Sequence, residues 1–152
     1  YSGVQRIMAH FAKLNPTANA DGTHDVIDVF PMNDSVNETE LSTQTGGLWK
    51  QTSYNTRNGK YYTPNTTTED PDQSKAFRKN FAGKSKVYDP AKDAFYFKKP
   101  YPSFTYNSEI ADWDPPIPMP QTQDADDSGE LYTWDEDAYQ ADNTQGWVKV
   151  TD

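Results

Sequence analysis

Oxygen-bearing side chains in residues 124–135 have the spacing of a calcium-binding loop. Aspartate or serine stands at loop positions 1, 3 and 5, Gly129 stands at position 6, and a carboxylate closes the loop at position 12. Calcium requires clustered oxygen ligands, and glycine permits the sharp turn. The candidate ligands are Asp124, Asp126, Ser128, Glu130 and Asp135. A proline-rich run precedes the loop where an EF-hand has a helix, so the alternative is a plain acidic turn between a linker and a strand.

The histidines and two pairs of carboxylates are the other residues whose types could support chemistry. His10 and His24 could pair across a hairpin as a metal or proton-transfer site, but no third ligand is obvious. Paired carboxylates can cleave glycosidic bonds, although acidic turns are the commoner interpretation. The pairs are Asp112 with Asp114 and Glu136 with Asp137. Because the chain also has no cysteine, we predict a protein that is not an enzyme and has no cofactor, calcium at residues 124–135 being the exception.

Charge is unevenly distributed along the chain. Residues 75–99 contain eight basic and two acidic side chains, whereas residues 109–142 contain eleven acidic and no basic side chains. The two segments are either solvated faces of one domain or unlike patches that steer copies or partners together. The candidate partner-binding residues are Lys75, Arg78, Lys79, Lys84 and Lys86, with Tyr61 and Tyr62. The net charge of −9 argues against nucleic acid as the partner.

The composition predicts a thin core built from aromatic rings. Leu, Ile, Val and Phe together number only 22 of 152 residues, but Phe, Trp and Tyr number 21. Each buried ring removes roughly 150–250 Å² from water, far more than a valine. No apolar run approaches the ~20 residues of a membrane span and no signal segment is evident, so we expect no membrane partner.

The central hairpin is predicted within residues 78–106. Two short aromatic runs, 87–88 and 94–97, flank an Asp-Pro turn. A looser copy, with an acidic turn at 135–137, pairs residues 132–134 with 146–150. Residues 9–14 and 25–30 form a further antiparallel pair, and residues 48–54 form another strand. We interpret residues 31–46 as a surface loop and residues 55–74 as a long loop anchored by Tyr61 and Tyr62.

These elements predict a mainly β fold. Short antiparallel hairpins form a sandwich-like core with long loops, and a Pro-rich spacer leads to a C-terminal hairpin. The expected segments are an extension or arm at 1–7, an aromatic-rich β domain at 8–114, a Pro-rich and acidic linker at 115–129 and a hairpin lobe at 130–152.

Several aromatic side chains could instead stack on sugars. The candidates are Trp49, Tyr61, Tyr62, Trp113, Trp134 and Trp147. Because aliphatic residues are so few, we expect most of these rings to form the core. A glycan-binding adhesion module is nevertheless an alternative function.

Six strings spread over residues 8–150 carry a resemblance to a family. They are MAHFAK (8–13), WKQTSYNT (49–56), RKNFAG (78–83), YDPAKDAF (88–95), PYPS (100–103) and YTWDE (132–136). Together they resemble a family of small virion proteins of tailed phages, chiefly phages that infect marine cyanobacteria. The resemblance implies a structural component without a catalytic motif.

We therefore expect a virion protein on the outside of a tailed phage, of the capsid decoration or cement type. A tail, baseplate or fibre component is the first alternative. The expected partners are other virion proteins and copies of the chain itself, and the expected location is the virion, assembled in the host cytoplasm.

Overall fold

A computed structural model describes residues 8–120 and 131–150. It confirms the predicted class: the fold is mainly β, with 37% strand and 13% helix, antiparallel sheets and a sandwich-like core. The chain divides into two compact units. Unit 1 comprises the described residues up to Lys98 together with Ser108–Asp112, and unit 2 comprises Lys99–Asn107 and the described residues from Trp113 onward. The division into a domain at 8–114, a linker at 115–129 and a lobe at 130–152 stays a prediction, and compactness groups residues 99–107 with unit 2.

Most of the strands belong to unit 1. Its elements are β1 Met8–Leu14, β2 His24–Asn33, α1 Glu38–Thr45, β3 Leu48–Thr52, β4 Thr56–Arg57, β5 Lys60–Tyr61, a 3₁₀ turn at Gln73–Lys75, β6 Lys86–Asp89 and β7 Ala94–Phe97. Five of these strands form a curled antiparallel sheet in the order β3-β1-β2-β6-β7, while β4 and β5 pair separately.

The predicted hairpins of unit 1 are confirmed. β1 pairs with β2, with Phe11 opposite Phe30 and a bulge at Lys13/Leu14. β6 pairs with β7, with Tyr88 opposite Phe95. The Asp-Pro turn between them forms as expected, since the Asp89 carboxylate accepts the backbone N–H of residue 91 at 2.9 Å.

The core of unit 1 combines aliphatic and aromatic side chains. Its buried cluster consists of Ala12, Leu14, Val26, Ala82, Tyr88 and Phe95. The Tyr88 and Phe95 rings meet at a centroid distance of 5.3 Å. Neighbouring strands of the curled sheet and residue Ala82 therefore contribute to one buried cluster.

The predicted surface loop at 31–46 is wrong. β2 continues to Asn33, and α1 follows at Glu38–Thr45. Asn37 caps this helix by accepting the N–H of Glu40 at 2.8 Å, and Gly46 ends it with φ +72°. Both caps are visible in the sequence, but the helix has no apolar stripe and buries no residue, so the usual periodic signal is absent.

The predicted long loop at 55–74 contains a hairpin. β4 and β5 are joined by Asn58 and Gly59, whose φ values are +50° and +84°. Two consecutive positive φ values are what a tight two-residue hairpin turn requires, and Asn-Gly is its commonest sequence. The prediction was wrong because the flanking strands have only two residues each, too few to show alternation.

Unit 2 contains two short hairpins and a helix. Its elements are β8 Thr105–Asn107, β9 Asp112–Asp114 (the first residue of which is counted with unit 1), β10 Leu131–Trp134, α2 Glu136–Ala141 and β11 Trp147–Val150. The predicted C-terminal pairing is confirmed, with Trp134 opposite Trp147. The predicted acidic turn at 135–137 is instead the start of α2. Within residues 8–120 and 131–150, neither helix is long and apolar enough to cross a membrane.

Candidate functional site

Most of the predicted calcium loop lies outside the described residues. This applies to Asp124, Asp126, Ser128 and Glu130. Asp135 is described, and its carboxylate caps α2 by accepting the N–H of Ala138 at 3.0 Å. In the part of the chain that the structure describes, no three His, Asp or Glu side chains are grouped as metal ligands would be.

The structure does not bring the two histidines together. His10 lies opposite Pro31 in the β1–β2 pairing, whereas His24 lies opposite Tyr88 on β6. The His24 ring nitrogen Nδ1 is 2.8 Å from the carbonyl oxygen of Asn15. Each histidine therefore has its own local environment, and the paired site expected from the sequence does not form.

The basic side chains of residues 75–99 are largely engaged inside unit 1. Arg78 is ion-paired to Glu38 at 2.8 Å and to Asp93 at 2.7 Å. Lys84 lies 3.8 Å from a carboxylate oxygen of Asp28. Folding thus neutralises much of the basic segment that the sequence suggested as a partner-binding surface.

The remaining candidate partner-binding residues fall into two groups. The ammonium groups of Lys79 and Lys86 approach backbone carbonyl oxygens at 3.5 and 2.6 Å. The guanidinium carbon of Arg57 lies 3.7 Å from the centroid of the Tyr62 ring. Lys75 and Tyr61, by contrast, line a cleft in unit 1.

Residues 78–82, which we call the bridging segment, join the two edge strands of the curled sheet. At β3, the Arg78 guanidinium donates to the Gln51 carbonyl at 2.9 Å. At β7, the Phe95 N–H donates to the Arg78 carbonyl at 3.0 Å. A segment that is not itself a strand thus hydrogen-bonds one backbone group on each open edge of the sheet.

Asn80 is the buried centre of the bridging segment. Its Nδ2 donates to the carbonyl oxygens of Phe95 at 2.8 Å and Ala111 at 3.0 Å, and its Oδ1 accepts the N–H of Asn58 at 2.8 Å. One amide therefore ties together β7, the β4–β5 turn and residues 108–112. All of its principal hydrogen-bonding capacity serves the fold.

The ion pairs around Arg78 are reflected in shifted pKa values. Burial opposes the charged form of Glu38, but hydrogen bonds from Arg78 and the Gln51 N–H hold the pKa of Glu38 below its ordinary value. Burial also opposes the charged form of Asp93, but hydrogen bonds from Tyr88 and Arg78 hold the pKa of Asp93 below its ordinary value. Burial, followed by the hydrogen bond to Asp93, raises the pKa of Tyr88 to about 12.

A cleft of about 590 Å³ opens in unit 1 beyond the end of β3. Tyr54, His10 and Tyr61 are among the rings that line it. The Tyr54 and His10 rings stack with their centroids 5.7 Å apart and an angle of 29° between the ring planes. The Phe81 ring meets the Tyr54 ring edge-on, at a centroid distance of 5.2 Å and an interplanar angle of 69°. Tyr54 nevertheless keeps 66% of its surface exposed, so an anchored ring faces solvent at this cleft.

Polar side chains complete the lining of the cleft. They are Asp34, Gln51, Thr52, Ser53, Asn55 and Lys75. The Asp34 and Lys75 side chains bring one negative and one positive charge, and the other four bring neutral donors and acceptors. A mainly apolar cleft with a few convergent polar groups is the usual form of a small-ligand site.

The sequence did not indicate this cleft as a site. Its stacked rings come from residues 10, 54 and 81, which are far apart in the chain. Of the residues singled out from the sequence, the structure places Tyr61, Lys75 and His10 at the cleft. The one available signal for Tyr54 was an aromatic residue at the end of a predicted strand.

Comparisons with known proteins give this chain no relative from which to transfer a function. No protein-family profile, no curated protein and no solved structure matches it. Function is therefore inferred from the chain's own surfaces and from the resemblance of its sequence strings.

Proposed function

We propose that this chain is a non-enzymatic structural protein on the exterior of a tailed-phage virion, of the capsid decoration or cement type. The observation that carries the proposal is an apolar sheet face in unit 2 that is left open to solvent. Assembly with other virion proteins, or with further copies of the chain, would cover such a face. The chain would then be located in the virion, after assembly in the host cytoplasm.

The apolar face is formed by β10 and β11. Leu131 lies opposite Val150, and Thr133 lies opposite Val148, so these four side chains share one side of the two-stranded sheet. Leu131 is 70% exposed, Val148 45% and Val150 47%. Their exposure leaves a contiguous apolar strip on a very small sheet, which is typical of a surface used for association.

The small size of this sheet supports the same proposal. Among the described residues, β10 and β11 pair only with each other. A two-stranded sheet is marginally stable in water unless something packs on it. In unit 2 the Trp134 side packs against Phe104, at a ring distance of 5.5 Å, and the opposite side carries the exposed side chains of Leu131, Val148 and Val150.

Further apolar side chains are exposed on unit 1. Ile27 and Phe30 of β2 stand on the surface of the curled sheet, although Phe30 also contacts the Trp49 ring at 5.7 Å. Aromatic residues at a surface are frequent anchors of protein interfaces. Acidic net charge and engaged lysines favour protein partners over nucleic acid.

The test is a binding assay with separated phage parts. Purified chain is mixed with empty capsids and, separately, with purified tails, and each mixture is sedimented. We expect saturable binding to capsids that the Val148→Lys and Val150→Lys changes reduce at least tenfold, because a charge would be buried at the interface. Asn143→Lys adds the same charge at an exposed position away from the strip and should bind like the unchanged protein.

Each outcome of this assay decides between functions. Binding to tails and not to capsids favours the tail, baseplate or fibre alternative. Binding to neither part, with folded protein, contradicts the virion proposal. Equal losses for the strip and control variants would show that net charge, not the apolar strip, governs association.

The cleft in unit 1 favours a second candidate function, a glycan-binding adhesion module. An exposed aromatic ring beside polar side chains is the arrangement with which proteins hold sugars. The observation is independent of the apolar strip, since the strip and the cleft belong to different units.

A further inference from the structure

We propose that the cleft of unit 1 binds a neutral carbohydrate, with Tyr54 as its stacking surface and Asp34, Gln51 and Asn55 as its hydrogen-bonding groups. The inference rests on the adhesion function and gives it a site and a ligand class. It does not depend on the virion role, because no residue of the cleft belongs to the apolar strip of unit 2.

Tyr54 is held in place before any ligand arrives. Its ring stacks on His10 at 5.7 Å and meets the edge of Phe81 at 5.2 Å, while His10 and Phe81 contact each other at 5.6 Å. Three mutually packed rings lose little further freedom when a ligand binds, so less free energy is lost to ordering. The apolar face of a pyranose ring is a natural partner for such an aromatic surface.

The polar side chains of the cleft have unused hydrogen-bonding capacity. Within the described residues, the side chains of Asp34, Gln51 and Asn55 make no hydrogen bond, although their neighbour Thr52 accepts the Ala82 N–H at 2.9 Å. A carboxylate accepts hydrogen bonds, and an amide both accepts and donates them. Sugar hydroxyl groups do both as well, which suits this mixture.

The charges of the cleft favour a neutral ligand over an acidic one. Lys75 supplies a cation at the lining and Asp34 supplies an anion. The protein as a whole carries a net charge of −9, which repels polyanions such as acidic glycans or nucleic acids. A neutral sugar is not subject to this repulsion.

A peptide that adds a strand to the sheet is disfavoured at this place. The outward backbone groups of β3 already have partners: the Gln51 N–H donates to Glu38 at 2.9 Å and the Trp49 N–H donates to the Ser42 hydroxyl at 3.3 Å. Strand addition requires free N–H and C=O groups along an edge. The β3 edge offers none at these positions, so recognition at the cleft depends on side chains.

The experiment screens the full chain on an array of neutral and acidic glycans and then titrates the strongest neutral oligosaccharide by calorimetry. We expect binding that Tyr54→Ala weakens about tenfold and Tyr54→Phe preserves, because stacking needs the ring and not its hydroxyl. The double change Gln51→Ala with Asn55→Ala should also weaken binding. Tyr62→Ala removes a ring outside the cleft and is the matched control.

Several results would overturn the proposal. They are an array without a neutral glycan signal, a signal confined to acidic glycans, or an affinity that Tyr54→Ala leaves unchanged while the melting temperature shows a folded protein. An equal loss in Tyr62→Ala would also contradict it. Capsid sedimentation of Tyr54→Ala separates the two functions: normal capsid binding is expected whether or not the sugar site exists.

Discussion

The bridging segment and the cleft lie in the same unit and contain similar residue types, but they use their polar groups differently. The side chains of Asn80 and Arg78 direct their polar atoms to strand edges and to the carboxylates of Glu38 and Asp93. At the cleft, the side chains of Asn55 and Asp34 hydrogen-bond to no partner in the described chain. An engaged polar side chain serves the fold, whereas an unengaged one beside an exposed ring is available to a ligand.

Backbone strain also distinguishes the bridging segment from the cleft. Arg78 and Lys79 have φ values of +54° and +71°, which non-glycine residues rarely adopt. The hydrogen bonds of Arg78 and Asn80 hold the segment in this conformation, so the strain is balanced by the contacts that close the sheet. We infer that changes in the bridging segment act on stability and changes in the cleft act on binding.

The largest expected effect is the loss of Asn80. Asn80→Leu would leave the Asn58 N–H and the Phe95 and Ala111 carbonyls without their partner, and should lower the free energy of unfolding by about 3–5 kcal/mol. Urea denaturation measures the change. Asn55→Ala is the matched control and should change stability by less than about 0.5 kcal/mol. Equal losses in both variants would remove the distinction between the two regions.

The sequence predicted what is local and not what joins distant segments. The β6–β7 hairpin followed from aromatic runs and the Asp-Pro turn, which are neighbours in the chain. The Arg78 partners lie 40 and 15 residues away, at Glu38 and Asp93, and no local pattern indicates such pairs. For the same reason the basic segment appeared free for a partner, although folding supplies its carboxylates.

Two of the wrong predictions had signals that could have corrected them. Asn37 followed by Glu40, with Gly46 after it, indicates a capped helix, and Asn58-Gly59 indicates a tight hairpin. The cleft had no comparable signal. Its rings come from three segments, and only packing in the folded chain shows that Tyr54 stays exposed while Phe11 is completely buried.

Arg78 provides the second prediction. Arg78→Met removes the partner of two carboxylates and the donor to Gln51, and should lower the free energy of unfolding by about 2–4 kcal/mol, less than a fully buried pair because Asp93 is partly exposed. The measurement is again urea denaturation. Lys75→Met removes a positive charge at the cleft and should have almost no effect. A substantial loss in Lys75→Met would mean that the cleft also supports the fold.

Gly59 tests the contact between the β4–β5 turn and the rest of unit 1. Its φ is +84°, and a Cβ there would lie 2.7 Å from the carbonyl oxygen of Glu109. Gly59→Ala should therefore lower stability by about 1–2 kcal/mol through strain and displacement. Gly22→Ala has a similar φ of +87° with nothing near its Cβ, so it measures the backbone effect alone. If both changes lower the free energy of unfolding by the same amount, the close approach of residue 59 to the Glu109 carbonyl does not affect stability.

Acid pH should produce the smallest effect, and it should arise in the bridging segment. The folded-state pKa values of Glu38 and Asp93 lie below their ordinary values of 4.5 and 3.8, with burial opposing and hydrogen bonds from Arg78 favouring the shift. A depressed carboxyl pKa contributes stability that is present above the unfolded-state pKa and is lost as the pH falls through the folded-state pKa. The melting temperature should therefore fall as the pH is lowered below the ordinary carboxyl pKa of 4.5, and Glu38→Gln should flatten that fall. A fall that stays as steep in Glu38→Gln as in the unchanged protein would show that the ion pairs of Arg78 do not cause it.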